Sequence, residues 1–334
     1  MFRYFGSKAS TAHLVADIAL RDYKDISVAD AFGGLGNIGA EFKKRGCAVT
    51  ACDLLHFPNS FQHTRLACTE PPTFSKILNK LNLKTHDEIL THLNQIRSND
   101  SWLYHEYAEK RAFFTKSNAD RINSAWREIA NWKQAELLSI DEEKFLTASL
   151  LNSMDAVANT AGTYYAHLKN WNRKSIKDFH LDWFPGIING PKGTAILGDA
   201  LSCLSGKKFD ILYLDPPYNN RDYSRYYHLP ETLATYRESI IDPHSKCGQP
   251  LERPSKGPQI RNAMKLPYLL DLIDSVKWER LVIQYADGAY IPLEQLQKEL
   301  TKFGRLKVHK IAALGYQSTK GTRRQIHHVF IIDK

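Results

Sequence analysis

Residues 209–218 have the sequence Phe-Asp-Ile-Leu-Tyr-Leu-Asp-Pro-Pro-Tyr, in which an apolar run ends in an acid, two prolines and an aromatic residue. Such a run predicts a strand buried on both faces, as in a parallel sheet. Asp215 would then lie at the carboxyl end of the strand, the edge at which open α/β sheets bind ligands. Because prolines donate no N–H, the Asp215 carboxylate and the Pro216 carbonyl can both act as acceptors. An ordinary strand-ending turn is the alternative.

Similar apolar runs predict the other strands of the sheet. Residues 27–32 and 48–53 predict two strands joined by a glycine turn and a helix over 38–45, the first half of a doubly wound sheet. Further strand patterns occur at 194–199, 280–285, 305–311 and 327–332. The last two predict an antiparallel edge pair. We therefore predict an α/β fold: a doubly wound, mostly parallel Rossmann-like sheet with an antiparallel terminal edge and a largely helical inserted domain.

Two long interruptions of the strand pattern divide the chain. Residues 1–58, 190–218 and 276–334 are expected to form one sheet domain. Residues 59–189 show mostly helical patterns and predict a helical insert. Residues 219–275 are rich in Arg, Lys, Tyr and Pro and predict a basic loop region.

Composition limits the classes of function. The 334 residues include 45 Lys+Arg and 36 Asp+Glu, a net charge of +9, which favours a polyanionic partner. The five cysteines are scattered without a Cys-x-x-Cys pair, so we expect a reducing compartment and no disulfides. Several Cys and His residues crowd between Cys47 and Cys68, but their spacing fits no metal-ligand pattern, so we expect no metal. No apolar leader or membrane-length run is present, so we expect a soluble, intracellular protein.

A glycine-rich motif follows the first predicted strand. Gly34, Gly36 and Gly39 form a G-x-G-x-x-G pattern before a helix, and the acid Asp53 follows about twenty residues after Gly34. This predicts an adenosine-bearing cofactor, with a nicotinamide dinucleotide and a purely structural glycine turn as alternatives. Asp30 lies just before the loop, where it would repel a pyrophosphate but attract an amino or sulfonium cation. S-adenosyl-L-methionine carries both cations.

Two weaker patterns surround the same edge. Asp199 ends the third strand and could accept from a cofactor amino group, although a simple turn explains it nearly as well. Residues 3–8, Arg-Tyr-Phe-Gly-Ser-Lys, offer an aromatic ring and a cation that could close over a cofactor carboxylate, whereas a frayed terminus is the default.

Arginines interleaved with tyrosines occur in two stretches and suit phosphate contact combined with base stacking. The alternatives are a solvated loop for the first stretch and packing of the insert for the second. The candidate nucleic-acid contacts are Arg221, Tyr223, Arg225 and Tyr226 in the first stretch, and Lys169, Trp171 and Arg173 in the second.

The chain resembles the N6-adenine-specific DNA methyltransferase family, in the order in which the cofactor motifs precede the catalytic tetrapeptide. The resemblance rests on residues 3–8, 31–36 and 215–218, with Asp53 and Asp199 as the ribose and adenine contacts. Tyr4 stands where better-known members have Trp. The cofactor contacts that the resemblance implies are Tyr4, Lys8, Phe32, Gly34, Gly36, Asp53 and Asp199, to which the charge argument adds Asp30. The catalytic residues that the resemblance implies are Asp215, Pro216, Pro217 and Tyr218.

The resemblance implies methyl transfer from S-adenosyl-L-methionine to N6 of an adenine flipped out of double-stranded DNA. Asp215 and the Pro216 carbonyl would accept both amino hydrogens, and Tyr218 would stack on the base. The insert 59–189 would then recognise the target, and residues 219–275 would contact DNA. The similarity to type II restriction companions makes a separate cognate endonuclease a candidate partner, and the expected location is the cytoplasm of a prokaryote, at the nucleoid.

Three rival interpretations stay open at this point. An enzyme of the same architecture could methylate RNA or guanine N2. A nicotinamide oxidoreductase would leave 215–218 unexplained. A non-catalytic DNA-binding module is the third, against which the intact Asp215 argues.

Overall fold

A seven-stranded sheet forms the centre of the protein. The computed structural model describes residues 2–21, 23–98, 102–218, 222–252, 262–318 and 321–334, with the backbone alone for 313–318 and 321–325. Its strands are β1 Ser27–Asp30, β2 Ala48–Asp53, β3 Thr194–Leu197, β4 Lys208–Leu214, β5 Lys277–Ala286, β6 Arg305–Ser318 and β7 Gly321–Asp333. They lie in the order β3-β2-β1-β4-β5-β7-β6. Strands β1 to β5 are parallel, and β7 is antiparallel to both β5 and β6. The predicted fold class is confirmed.

The antiparallel pair at the end of the chain has one feature that the sequence did not reveal. β7 lies inside the sheet, and β6 forms the edge. The reason is burial, because residues 329–332 of β7 are apolar and buried on both faces. By contrast, β6 alternates charged or polar residues with apolar ones, as Lys307, Val308 and His309 illustrate, and such a strand tolerates an open edge.

Helices cover both faces of the sheet and form the insert. They are α1 Ala12–Leu20, α2 Asn37–Lys44, α3 His56–Gln62, α4 Ser75–Leu81, α5 His86–Gln95, α6 Trp102–Tyr104, α7 Lys116–Gln134, α8 Ile140–Ala156, α9 Ala200–Leu204, α10 Tyr223–Tyr226, α11 His228–Ala234, α12 Leu266–Ser275 and α13 Leu293–Leu300. The π-helical turns His63–Ala67 and His105–Glu109 extend α3 and α6. Helices α1 and α2 pack on one face of the sheet, whereas α9, α12 and α13 pack on the other.

The insert shares its apolar core with other parts of the chain. Phe2 and Leu35 belong to the same buried cluster as α7, α8 and α11. Trp126 of α7 is fully buried and donates its indole N–H to the Leu233 carbonyl of α11 at 2.9 Å. The N-terminal stretch, the insert and α11 are therefore held together by one core, which fixes them relative to the sheet.

One prediction about the regions outside the sheet needs correction. Residues 219–275 were expected to be loop, but α10, α11 and α12 lie there. Helix α11 is buried because its apolar side chains complete the core of the insert. Residues 219–221 and 253–261 of that region lie outside the described part of the chain. The insert is largely helical, as predicted: its helices lie before Val157, and residues 157–193 contain no helix. The Asn159 side chain links two parts of that last segment, because it donates to the Leu168 carbonyl and accepts from the Ser175 hydroxyl.

Candidate active site

A cleft opens at the carboxyl ends of β1, β2 and β4, where the sequence predicted ligand binding. It encloses about 790 Å³, part of which is open to solvent. The predicted motifs that line it come from the N-terminal stretch, the glycine loop, the end of β2 and the tetrapeptide after β4. They are Tyr4, Lys8, Phe32, Gly34, Asp53, Asp215, Pro216, Pro217 and Tyr218. Tyr223 of α10 also lines it. The structure thus brings together residues that are far apart in the sequence.

Asp215 is held at both carboxylate oxygens. Its Oδ2 accepts from the Lys8 ammonium at 2.7 Å, and its Oδ1 accepts from the Tyr218 hydroxyl at 2.7 Å. The Lys8 and Asp215 side chains are 8% and 13% exposed, so the ion pair is largely desolvated yet lines the cleft. Lys8 also lies 4.7 Å from the centre of the Tyr218 ring. The carboxylate is therefore oriented and stays reachable from solvent.

Asp30 is buried and incompletely satisfied. It is 1% exposed, and its Oδ1 has no hydrogen-bond partner. It lines a second cavity of about 340 Å³, which adjoins the first because both share Lys8, Gly34 and Asp215. Burial, together with the nearby Asp215 charge, raises the pKa of Asp30 to about 8. A buried acceptor of this kind fits a cationic ligand, since a cation would both supply a partner and favour the ionised acid.

The glycine loop is shaped at Gly34. Its φ of +50° lies in the left-handed region, and a Cβ there would meet the Tyr4 ring at 3.1 Å. The Gly34 N–H donates to Asp53 Oδ2 at 3.1 Å, and Asp53 Oδ1 accepts from the Leu55 N–H at 2.9 Å. Burial raises the pKa of Asp53 to about 7. The loop therefore keeps an open backbone surface between an aromatic ring and an acid, a geometry that admits an adenosine-bearing ligand.

Gly36 and Asp199, two other predicted cofactor contacts, do not line either cavity. A Cβ on Gly36 would meet the Gln62 backbone at 3.3 Å, so this glycine allows the loop to pack against the end of α3. Asp199 caps α9, where its Oδ1 accepts from the Tyr268 hydroxyl at 2.9 Å and from the Leu201 N–H at 3.1 Å. Sequence reasoning missed Gln62, whose amide donates to the Gly34 carbonyl at 2.8 Å.

The two predicted nucleic-acid stretches meet beside the cleft. The Tyr165 and Tyr226 rings stack with centres 5.0 Å apart and an angle of 20°, and the Arg225 guanidinium lies 5.8 Å from the Tyr165 ring. The Tyr164 N–H donates to the Tyr226 carbonyl at 2.8 Å. The stretch that contains Tyr164 and Tyr165 also exposes Lys169, Trp171 and Arg173. Arg221 lies outside the described residues.

A possible metal-ligand set lies away from the cleft. His63, Cys68 and Asp141 have donor atoms within 4.8 Å of one another. However, His63 Nε2 and Asp141 Oδ1 are 2.6 Å apart, closer than the roughly 3.3 Å between two donors on one tetrahedral zinc. That distance is typical of an ion pair, and the expectation of no metal stays a prediction.

Each described helix is too short or too polar to cross a membrane.

The fold and the cleft define a Rossmann-like α/β protein with a ligand cleft at the carboxyl ends of its parallel strands. The chain belongs to the D12 class N6 adenine-specific DNA methyltransferase family, whose model matches residues 4–280. The resemblance stated from the sequence motifs is confirmed.

Several type II enzymes are similar to the chain. Type II methyltransferase M.FokI of Planomicrobium okeanokoites is 27% identical over 99% of this chain and 52% of its own length. Type II methyltransferase M.NlaIII of Neisseria lactamica is 27% identical over 90% of this chain and 88% of its own. Modification methylase StsI of Streptococcus sanguinis is 27% identical over 95% of this chain and 49% of its own length. The chain thus spans about half the length of M.FokI and StsI.

Proposed function

We propose that this protein is a site-specific DNA methyltransferase that moves a methyl group from S-adenosyl-L-methionine to N6 of an adenine flipped out of double-stranded DNA. One observation carries the proposal: Asp215 lines a cleft that continues into a cavity where Asp30 keeps a buried carboxylate oxygen without a partner. Asp215 suits an amino group as substrate, and Asp30 suits a cationic cofactor. Family membership supports adenine as the target base and N6 as the target atom.

The charges of the cleft support S-adenosyl-L-methionine as the cofactor. It would supply a methyl group activated on a sulfonium. Asp30 would contact its cationic groups, and Asp53 would accept from its ribose hydroxyls. Tyr4 and Phe32 offer ring faces at the wall of the cleft. Asp199 stays a candidate acceptor for the adenine amino group, and Gly36 stays a candidate backbone contact.

Asp215 and the Pro216 carbonyl would bind the target amino group. A carboxylate oxygen can accept two hydrogen bonds, so an amino hydrogen can join Asp215 while Lys8 and Tyr218 stay in place. With both amino hydrogens accepted, the nitrogen lone pair would leave conjugation with the ring and be free to take the methyl group. The sulfonium would leave as a neutral thioether, and N6 would release one proton to solvent. Tyr218 and Pro217 would bound the base on its faces. Positioning and electrostatics of this kind lower a barrier by several kcal/mol without a covalent intermediate.

The DNA would lie across the mouth of the cleft. The Tyr165–Tyr226 stack with Arg225 offers both base stacking and phosphate contact, and exposed Lys169, Trp171 and Arg173 extend this surface. On this proposal Tyr223 and Arg221 would contact DNA as well. Residues 59–189 would recognise the target sequence, and residues 219–275 would contact the DNA backbone.

Expression in a host without DNA methylation, followed by sequencing for modified bases, tests the proposed function. Wild-type protein should produce N6-methyladenine in a fixed motif, and Asp215→Asn should produce none. Asp210→Asn is a matched control, because Asp210 lies at the other end of the same strand and bonds Ser27 away from the cleft. Modified guanine, modification of RNA alone, or full activity of Asp215→Asn would contradict the proposal.

A separate cognate restriction endonuclease fits this activity, as does a location in the prokaryotic cytoplasm at the nucleoid. Such an endonuclease would recognise the motif that the sequencing reveals. DNA from the expressing cells should then resist cleavage by an enzyme specific for that motif, whereas DNA from Asp215→Asn cells should be cut.

A further inference from the structure

Three buried polar side chains form a chain of hydrogen bonds beneath the cleft. Tyr213 of β4 donates its hydroxyl to Gln284 Oε1 of β5 at 2.8 Å, and Gln284 Nε2 lies 3.2 Å from Nδ1 of His327 on β7. Their exposures are 1%, 0% and 4%. Because side chains alternate along a strand, all three lie on the face of the sheet that packs against α1 and α2, the face of Val282 and Val329.

The far end of this chain contacts the predicted catalytic tyrosine. The His327 ring meets the Tyr218 ring edge-on, with centres 5.8 Å apart and an angle of 84°. Tyr285 makes a second edge-on contact at 5.8 Å and 89°. The Tyr218 hydroxyl in turn donates to Asp215 Oδ1. A continuous series of hydrogen bonds and one ring contact therefore connects Tyr213 to the carboxylate of Asp215.

Stability alone does not explain this polar chain. Buried polar groups need hydrogen-bond partners to offset the free energy of desolvation, whereas apolar side chains such as Val282 and Val329 fill neighbouring positions on the same face without any partner. The Gln284 amide gives this chain of hydrogen bonds a fixed donor-to-acceptor order, because its oxygen accepts from Tyr213 and its nitrogen donates to His327. It thereby assigns the imidazole proton to Nε2, while burial lowers the pKa of His327 to about 4 and keeps the ring neutral. Gln284 and His327 lie beyond the residues 4–280 that the family model matches.

We propose that His327 is a positioning residue for methyl transfer, held by Gln284 and Tyr213 so that its ring orients Tyr218 and, through it, the Asp215 carboxylate. The inference rests on the proposed function and adds to it. His327 touches neither the target base nor the cofactor on this proposal. Its effect should therefore appear in the rate of the bound complex and leave cofactor affinity intact.

Two substitutions separate the two contacts of His327. His327→Asn keeps an acceptor near the position of Nδ1 but removes the ring, and His327→Phe keeps a ring but removes the acceptor. Both should lower kcat for transfer of labelled methyl groups to unmethylated DNA by about tenfold or more, because small misplacements of reacting groups have effects of this size. Affinity for S-adenosyl-L-methionine should stay within about threefold.

Val329→Ala is the matched control, since Val329 lies two residues away on the same face of β7. It should leave kcat within about threefold although it loosens the same core. His327 variants with wild-type kcat, or with losses that Val329→Ala reproduces, would overturn the inference while an active wild type upholds the proposed function. An inactive wild type would instead overturn the proposed function.

Nitrogen NMR of the imidazole tests the network without an activity assay. His327 should carry its proton on Nε2 and stay neutral down to about pH 5.5, and Tyr213→Phe should mix the two tautomers because Gln284 loses its anchor. A proton on Nδ1 in the wild type, or titration near the ordinary histidine pKa, would refute the arrangement.

Discussion

Replacing Asp30 by Asn should stabilise the cofactor-free protein at neutral and alkaline pH. Asp30 is 1% exposed, and burial raises its pKa from the ordinary 3.8 to about 8 in the folded protein. Between these two values the unfolded chain has released the proton and the folded protein still holds it. The unfolded state is therefore favoured as pH rises, and the stability of the wild type falls across this window.

The size of the effect follows from one proton. A difference of one bound proton changes the free energy of unfolding by about 1.4 kcal/mol per pH unit. Between about pH 5.5 and 7.5 the stability difference between Asp30→Asn and wild type should therefore grow by roughly 3 kcal/mol. At the acidic end the difference should be small, because the amide resembles the protonated acid in size and hydrogen bonding.

Urea unfolding of both proteins across this pH range measures the prediction. Subtracting the two stability curves cancels the other titrating groups. Asp210→Asn is the control: hydrogen bonds from Ser27 lower the pKa of Asp210, so its contribution is lost only as pH falls below the window. A parallel pair of curves for Asp30→Asn and wild type would refute the reasoning. Saturating S-adenosyl-L-methionine should flatten the wild-type slope, because a bound cation favours ionised Asp30.

Three further predictions test the loop, the core and the surface. Gly34→Ala should weaken cofactor binding and destabilise the fold by about 1–3 kcal/mol, since its φ is +50° and its Cβ would meet Tyr4; unchanged calorimetry and melting would count against it. Lys43→Met should cost about 2–4 kcal/mol in urea unfolding, because the buried ammonium bonds three carbonyls at 2.8–3.1 Å, and a negligible loss would show that water replaces it. Arg225→Ala should weaken DNA binding and reduce the salt slope by about 1, with Lys302→Ala as an exposed control; equal slopes would place DNA elsewhere.

Most of the sheet and several residues that line the cleft could be predicted from the sequence. Apolar runs mark buried strands because strand burial is a local property of six or so residues, and the strands at 48–53 and 208–214 lie where those runs predicted them. Asp30 and Asp215 were also expected at the cleft, because parallel strands end at one edge of the sheet. Glycine spacing, in contrast, did not tell which glycine faces the cleft. Gly34 does, whereas Gly36 packs against Gln62.

Tertiary structure alone decided the contacts between distant parts of the chain. Lys8 pairs with Asp215 across 207 positions of sequence, and no local pattern can predict which cation reaches which acid. β7 lies inside the sheet because the strand that is apolar on both faces gains most from being covered, a comparison that requires all strands at once. The buried path through Gln284 to His327 has the same origin. Local periodicity determines which residues are buried, but the partners that they meet depend on how the whole chain packs.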